Sequence, residues 1–239
     1  GTHTPEIEAW TAVNPDSELI PVARANGITH SLIVPLGGTI SGVSGLIALE
    51  GWGIEEMAIV PKVALHIWWP GHGLSIPGRN SAGKSLEEQK REISKNIEDI
   101  DEFFNQSEAY ARRRLAAPEN KTEINPSWEA MLPFVSQKLP LVIHADEKRQ
   151  ISSALDWAEK RKYKIIISGG RDAWKIAERI SSMEIAVIYR HVFTAPNQLN
   201  LPFDTQFRAP GILSDAGVRI SIGLGLGAWT AANQRNLPY

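Results

Sequence analysis

Apolar residues along this chain fall into two rhythms. Leu141, Val142 and Ile143 form an unbroken apolar run that stops at His144, and Asp146 follows at once. Such a run suits a parallel strand covered on both faces. Beyond it Ile151, Ala154, Leu155 and Ala158 recur at the i, i+3, i+4, i+7 spacing of one helix face. The unit then repeats: Lys164–Ser168 reads as a strand, Gly169-Gly170 as a turn, and Ala173, Ile176, Ala177 and Ile180 as a buried helix face. Ile185–Tyr189 is the next strand, ending at Arg190-His191, and Arg219–Ile222 ends in GLGLG. Upstream, Ile28–Val34 and Val63–Trp68 read the same way. Six strands separated mostly by helical segments predict a parallel α/β protein, because parallel neighbours need a crossover that helices supply.

Between these units the punctuation is informative. Asn14-Pro15-Asp16-Ser17 opens a short helix that ends at Asn26-Gly27, and glycines recur from Pro35 to Trp52 in what reads as a loop carrying a short hairpin-like strand. The longest predicted helix is Ser85–Leu115, with Leu86, Ile93, Ile97, Ile100 and Phe104 on one stripe. Pro118–Asn125 reads as a polar linker, and Pro196–Phe207 as a long loop of the kind that shapes binding sites at strand ends.

Charge and composition narrow the function. A chain of 239 residues with net charge −2 and pI near 6.4 offers no basic surface for nucleic acid, and Arg112-Arg113-Arg114 is accounted for as a favourable charge cluster at a helix C-terminus. The absence of cysteine removes disulfides, thiolate metal sites and cysteine nucleophiles. No apolar run approaches the ~20 residues of a membrane span. The expectation is a soluble chain, cytoplasmic or periplasmic, that takes a small-molecule substrate, engages neither nucleic acid nor membrane, and leaves a homo-oligomer open.

Gly78–Ser85 (GRNSAGKS) matches the phosphate-loop pattern G-x-x-x-x-G-K-[ST]. The pattern needs an apolar strand ending at its first glycine, whereas Pro77 stands there, and Ser85 with Glu88 is a capping box. A nucleotide site therefore ranks behind a loop and a helix cap. The stronger candidates are strand-end histidines: His144, then His66 in VALHIW and His191 after AVIYR. They would meet on one rim if the sheet closes into a barrel. Neutral imidazoles are good zinc ligands, and Asp146 or Arg190 could act as proton carrier or anion clamp. His72 and His30 are poorer candidates, His30 lying at the wrong end of its strand.

Taken in order, IPVARANGITHSLIVPLGG, LIALEGWGIEEM, KLPLVIHADEKRQISSAL, IIISGGRDAWKIAERI and RNLPY resemble the amidohydrolase superfamily, in the branch of imidazolonepropionase-like and other metal-dependent hydrolases. The resemblance covers most of the chain. It implies a single (β/α) TIM-type barrel domain over residues 1–239, incomplete and cut short at both ends so that the family's β-sandwich segments are absent. It also implies hydrolysis of a non-peptide or dipeptide-like C–N bond by metal-activated water, with a divalent metal, zinc first. His144 matches the fifth-strand metal ligand, and His66 stands where a bridging lysine or glutamate often lies. Other family positions are not filled. No His-x-His occurs, Ser168-Gly169-Gly170 holds no sixth-strand histidine, and SIGLG holds no eighth-strand aspartate. The expected site is thus His144 and His66 on metal, with Asp146, Arg190 and His191 catalytic. The alternatives are a degenerate binding protein of the same fold and, behind it, a phosphate-loop NTPase.

Overall fold

The structure is a computed structural model that describes residues 2–74, 84–116 and 124–224. Seven strands make one sheet in the order of the chain: β1 (His30–Ile33), β2 (Ile40–Ala48), β3 (Ala58–Trp68), β4 (Leu141–Ala145), β5 (Ile165–Gly169), β6 (Ala186–Tyr189) and β7 (Ile220–Ile222). β3 to β7 run parallel, whereas β2 is antiparallel to both β1 and β3. The α-helices are α1 (Leu19–Ala25), α2 (Ile54–Met57), α3 (Leu86–Ala116), α4 (Pro126–Val135), α5 (Lys148–Arg161), α6 (Ala177–Ser182) and α7 (Thr205–Asp215). The expected TIM-type barrel is therefore corrected to an open, mixed sheet, in which β1 and β7 do not pair with each other among the described residues. The reason is connection length. Only residues 34–39 join β1 to β2, and a one-turn helix (α2, Ile54–Met57) lies before β3, so neither link can carry a parallel crossover.

The glycine-rich stretch expected to be a loop carrying a short hairpin-like strand is β2, nine residues long and buried along most of its length. Its first half lies beyond the reach of β1, and the N-terminal segment fills that edge instead: Thr4 N–H donates to Ile40 O at 2.8 Å and Val43 N–H to Ile7 O at 2.7 Å. Gly42 permits this approach, since its φ is +122° and a Cβ there would sit 2.9 Å from Ile7 Cβ.

Period-two alternation sorts the parallel strands into two faces. One face presents Leu65, Ile67, Leu141, Ile143, Ile165, Ile167, Val187 and Tyr189 to the main core. Helix α5 (Lys148–Arg161) meets it with Ile151, Ala154, Leu155 and Ala158, all buried, and α6 (Ala177–Ser182) with Ala177 and Ile180. Helix α3 (Leu86–Ala116) adds Ile100 and Phe104, while Leu86 at its start is exposed. Ser85 caps that helix as its spacing predicts: Glu88 N–H donates to Ser85 Oγ at 3.2 Å, and Ser85 N–H to Glu88 Oε2 at 2.7 Å. Lys84 pairs with Glu92 at 2.6 Å, and residues 78–83 of the phosphate-loop match lie outside the described residues. So do 225–239, which hold RNLPY and the end of SIGLG, and 118–123 of the linker. Among the described residues no helix is long and apolar enough to cross a membrane.

Candidate functional site

The opposite face of the sheet carries the chemistry. Strand register places Trp68 beside His144 and His144 beside Ser168, and His66, two residues before Trp68, shares their side. His66 and His144 are 1% and 3% exposed, although their face lies away from the main aliphatic core. Their facing nitrogens, His66 Nδ1 and His144 Nε2, share one hydrogen bond at 2.8 Å. The Trp68 indole stacks on the His144 ring at 3.9 Å between centroids and 8° between planes, and its Nε1 donates to Ser41 Oγ at 3.2 Å. The tryptophan thereby sets the plane of the histidine.

Electrostatics hold both rings neutral. Burial, then the positive charge of Arg190, lowers His66 to about 4. Burial, His66 and Arg190 lower His144 to about 3, with Asp146 opposing. A neutral imidazole donates at one nitrogen and accepts at the other. Whichever ring donates in the shared bond, the pair is left with one unpaired N–H and one unpaired lone pair, on His66 Nε2 and His144 Nδ1. Both atoms are buried and without a partner among the described residues, as is Arg190 Nε. Each such orphan costs about 1–3 kcal/mol, so three on neighbouring side chains mark a place prepared for polar company.

Beside this pair, His191 Nε2 lies 2.6 Å from Asp146 Oδ1. Burial raises the Asp146 carboxyl, but the His191 hydrogen bond and the charges of His191, Arg190 and Arg171 outweigh it and hold the group below its usual range. An ionised carboxylate only accepts, so His191 Nε2 donates and Nδ1 carries the lone pair when the ring is neutral. That Nδ1 faces Thr194 Oγ1 at 3.4 Å, within a turn closed by Thr194 N–H donating to His191 O at 2.9 Å. Arg190 is lowered by burial, with Asp146 opposing.

Local sequence explains why these groups can gather. Gly169 ends β5 with φ +108°; a Cβ there would overlap Asp146 Oδ1 and lie 3.1 Å from Arg190 Nη2. Gly169, within the Ser168–Gly170 stretch where the resemblance would put a sixth-strand histidine, is thus the gap through which Asp146 and Arg190 reach each other's neighbourhood. Gln150, on the first turn of α5, accepts from Asp146 N–H at 2.9 Å and donates to Trp69 O at 2.7 Å, tying the exit of β4 to the exit of β3.

The structure therefore brings His66 to His144 and Asp146 to His191, with Arg190 between the two pairs. His72 lies apart from both, its Nδ1 3.1 Å from Pro70 O, and His30 opens β1 beside Thr29. Trp68, Gly169 and Gln150 escaped the sequence reading. Only Gly169-Gly170 left a signal, and it was spent on a turn.

The fit of a metal can be tested on this geometry. Two ligand nitrogens on tetrahedral zinc, each at about 2.0–2.1 Å, stand roughly 3.3 Å apart, wider than the hydrogen-bonded 2.8 Å of His66 and His144. Among the described residues no group of three or more His, Cys, Asp or Glu side chains could hold a metal ion. The guanidinium of Arg190 would also oppose a second cation. The described residues do not fit the expected zinc site.

No family model matches the chain, and no curated protein matches it. A crystal structure of an amidohydrolase from Thermotoga maritima MSB8 superposes with a TM-score of 0.78 at 21% identity, covering 97% of this chain. The fold is amidohydrolase-like. This chain spans 60% of the length of that structure, and at such identity the likeness concerns the backbone, so activity has to be argued from the side chains.

Proposed function

We propose that the chain is a hydrolase of the amidohydrolase type that cleaves a carbon–nitrogen bond in a small molecule. One observation carries this reading: the Asp146–His191 dyad stands beside a buried, neutral histidine pair and a half-buried guanidinium, at the C-terminal ends of parallel strands. That is where open parallel sheets place their ligands. His191 Nδ1 takes a proton from water as the water oxygen bonds to the substrate carbonyl carbon, and Asp146 stabilises the imidazolium. As the C–N bond breaks, the proton passes from His191 to the departing nitrogen, leaving an amine and a carboxylic acid that gives its proton up to solvent. The N–H left free by the His66–His144 pair and the charge of Arg190 face the negative charge that develops. No step is routed through metal.

The test is turnover of small amides, cyclic amides and dipeptides by the wild type, by Asp146→Asn and by His191→Gln. General acid–base catalysis is worth about 10²–10⁴ in rate, so each variant should lose that factor while melting within a few degrees of the wild type. Activity equal in all three would sink the dyad. One observation favours a second reading, a non-catalytic binding protein of this fold: the described residues hold no three-ligand metal group. Saturable ligand binding without turnover, in a wild type that stays folded, would select it.

A further inference from the structure

At the opposite ends of the strands that carry the dyad, the chain forms a second concavity. A cavity of about 240 Å³ opens where β4 and β5 begin, between the end of α4 and the residues that lead into each strand. Its floor is Phe134, Leu141 and Tyr163, all buried. The Tyr163 hydroxyl donates to Glu108 at 2.7 Å, while its ring stacks on Trp157 and meets Phe104 edge-on, so the hydroxyl is spent and the ring is held as an apolar wall. The mouth has the opposite character. Lys138 and Lys164 stand there, exposed, on the approaches to two neighbouring strands, and neither meets a carboxylate within ion-pair distance among the described residues. Glu108, the acid that reaches Tyr163, is also held by Arg161 at 3.0 Å. The C-terminus of α5 has Lys160 and Arg161 in its own last turn, so Lys164 is surplus to that helix.

Gln137 completes the rim in a strained conformation. Its φ is +56°, just past the end of α4 where glycine is usual, and the turn is fixed by Gln137 N–H donating to Phe134 O and Lys138 N–H to Pro133 O, both at 2.9 Å. A glycine would make this turn without the penalty, whereas glutamine keeps at the rim an amide that has no hydrogen-bond partner among the described residues. We infer that this cavity binds a small aryl carboxylate, its ring on the Tyr163 wall and its carboxylate between Lys138 and Lys164, where the Gln137 amide donates to it. The volume falls below the ~300–1,000 Å³ of sites that hold drug-sized ligands, so the occupant carries a single ring. An apolar floor alone would take any small ring, and two ammonium groups at one mouth select the anion. β4 and β5 each run roughly 13 Å from this end to the dyad rim, so the ligand binds alongside a substrate rather than in its place.

Phenylacetate is titrated into the full chain by calorimetry at low ionic strength, beside phenylacetamide, phenethylamine and acetate. Phenylacetate should bind saturably and at least about tenfold more tightly than acetate, which has no ring to bury. Its advantage over phenylacetamide should be smaller, at least about threefold, because exposed lysines act through screened charge. Phenethylamine should not saturate. Replacing both lysines, Lys138→Gln with Lys164→Gln, should erase the preference for acid over amide while leaving the melting temperature nearly unchanged, both positions being exposed. Gln137→Gly should not destabilise the chain, since glycine suits that φ, yet should weaken phenylacetate, a combination that a purely structural turn would not give. His191→Gln should bind phenylacetate as the wild type does, which separates this cavity from the dyad and makes the result independent of whether the chain is a hydrolase. Absence of saturable phenylacetate binding, or equal affinity for acid and amide or for phenylacetate and acetate, would overturn the inference. So would a double-lysine variant that still prefers the acid, a Gln137→Gly variant with wild-type affinity, or binding lost in His191→Gln.

Discussion

Arg161 and Arg190 are both guanidinium groups drawn partly out of water, yet their hydrogen bonds are filled to very different degrees. Arg161 donates through Nε to Asp101 at 2.6 Å, through Nη1 to Glu108 at 3.0 Å, and through Nη2 to the Asp101 carbonyl at 2.8 Å and to Asn105 at 2.5 Å. Trp157 and Tyr163 donate to the same two carboxylates, and the rings of Phe104 and Trp157 lie beneath the guanidinium. That network binds α3 to α5 and is complete within the chain. Around Arg190 the protein has gathered equally polar material and left three buried atoms unmatched. A saturated cluster holds helices together, whereas an unsaturated one at strand ends is built for something else.

Acid should separate the two clusters most strongly. The unfolded chain protonates its histidines near 6.5, whereas burial keeps His66 neutral in the fold down to about 4. Below 6.5 the unfolded state therefore binds more protons, and stability present above that pH is lost as pH falls, by about 1.4 kcal/mol per pH unit for one such histidine. The Arg161 network behaves differently. Hydrogen bonding from Arg161 holds Asp101 below its ordinary 3.8, so its contribution persists until the pH falls below that value. Denaturant melts from pH 7 to 3 should show a first decline between 6.5 and 4, strongly reduced when both histidines are replaced, with burial of His3 accounting for what is left. A flat profile in that window would mean that water reaches the imidazoles and that the contrast is false.

Arg161→Met comes next. It strands two acidic groups that are each about 30% exposed, so about 2–3 kcal/mol should be lost in chemical denaturation. A loss under about 0.5 kcal/mol would show that the network is ornamental at the surface. The histidine pair should behave in a way a saturated cluster cannot. His144→Leu should cost about 1–3 kcal/mol by orphaning His66 Nδ1, while adding His66→Leu should return part of that cost, because neither position then carries an unmatched imidazole nitrogen. Strict additivity of the two changes would break the argument. The smallest effect belongs to an ion pair outside both clusters. Lys84 and Glu92 are about half exposed, so Lys84→Ala should change stability by less than about 1 kcal/mol.

Much of the fold was legible because one-dimensional periodicity records burial. The helix face of Ile151, Ala154, Leu155 and Ala158, the strands around Leu141–Ile143 and Ile165–Ile167, and the Ser85 cap all appear where their spacing puts them. β2 was read as a short strand within a loop because ISGVSGLIA is buried on both sides and rich in glycine, so neither alternation nor β-propensity marks its full length. That one strand turns the expected barrel into a mixed sheet, since inserting it makes β1 and β3 next-but-one neighbours. The unbroken run Leu141–Ile143 also suggested two equivalent faces, yet only one packs on the aliphatic core.

Residue type and position along each strand were enough to single out His66, His144, Asp146, Arg190 and His191, because polar side chains that end apolar strands are rare and have few places to go. Which of them touch was decided by register across β3, β4, β5 and β6, a property of strands separated by up to 78 residues in the case of His66 and His144. The same register set the protonation states, since a histidine is neutral or charged according to what buries it and which charges stand nearby. Stacking by Trp68, the gap at Gly169 and the missing partner of Arg190 are likewise facts of packing. Local sequence encodes what a residue can donate or accept; only the folded neighbourhood encodes what is left over for a ligand.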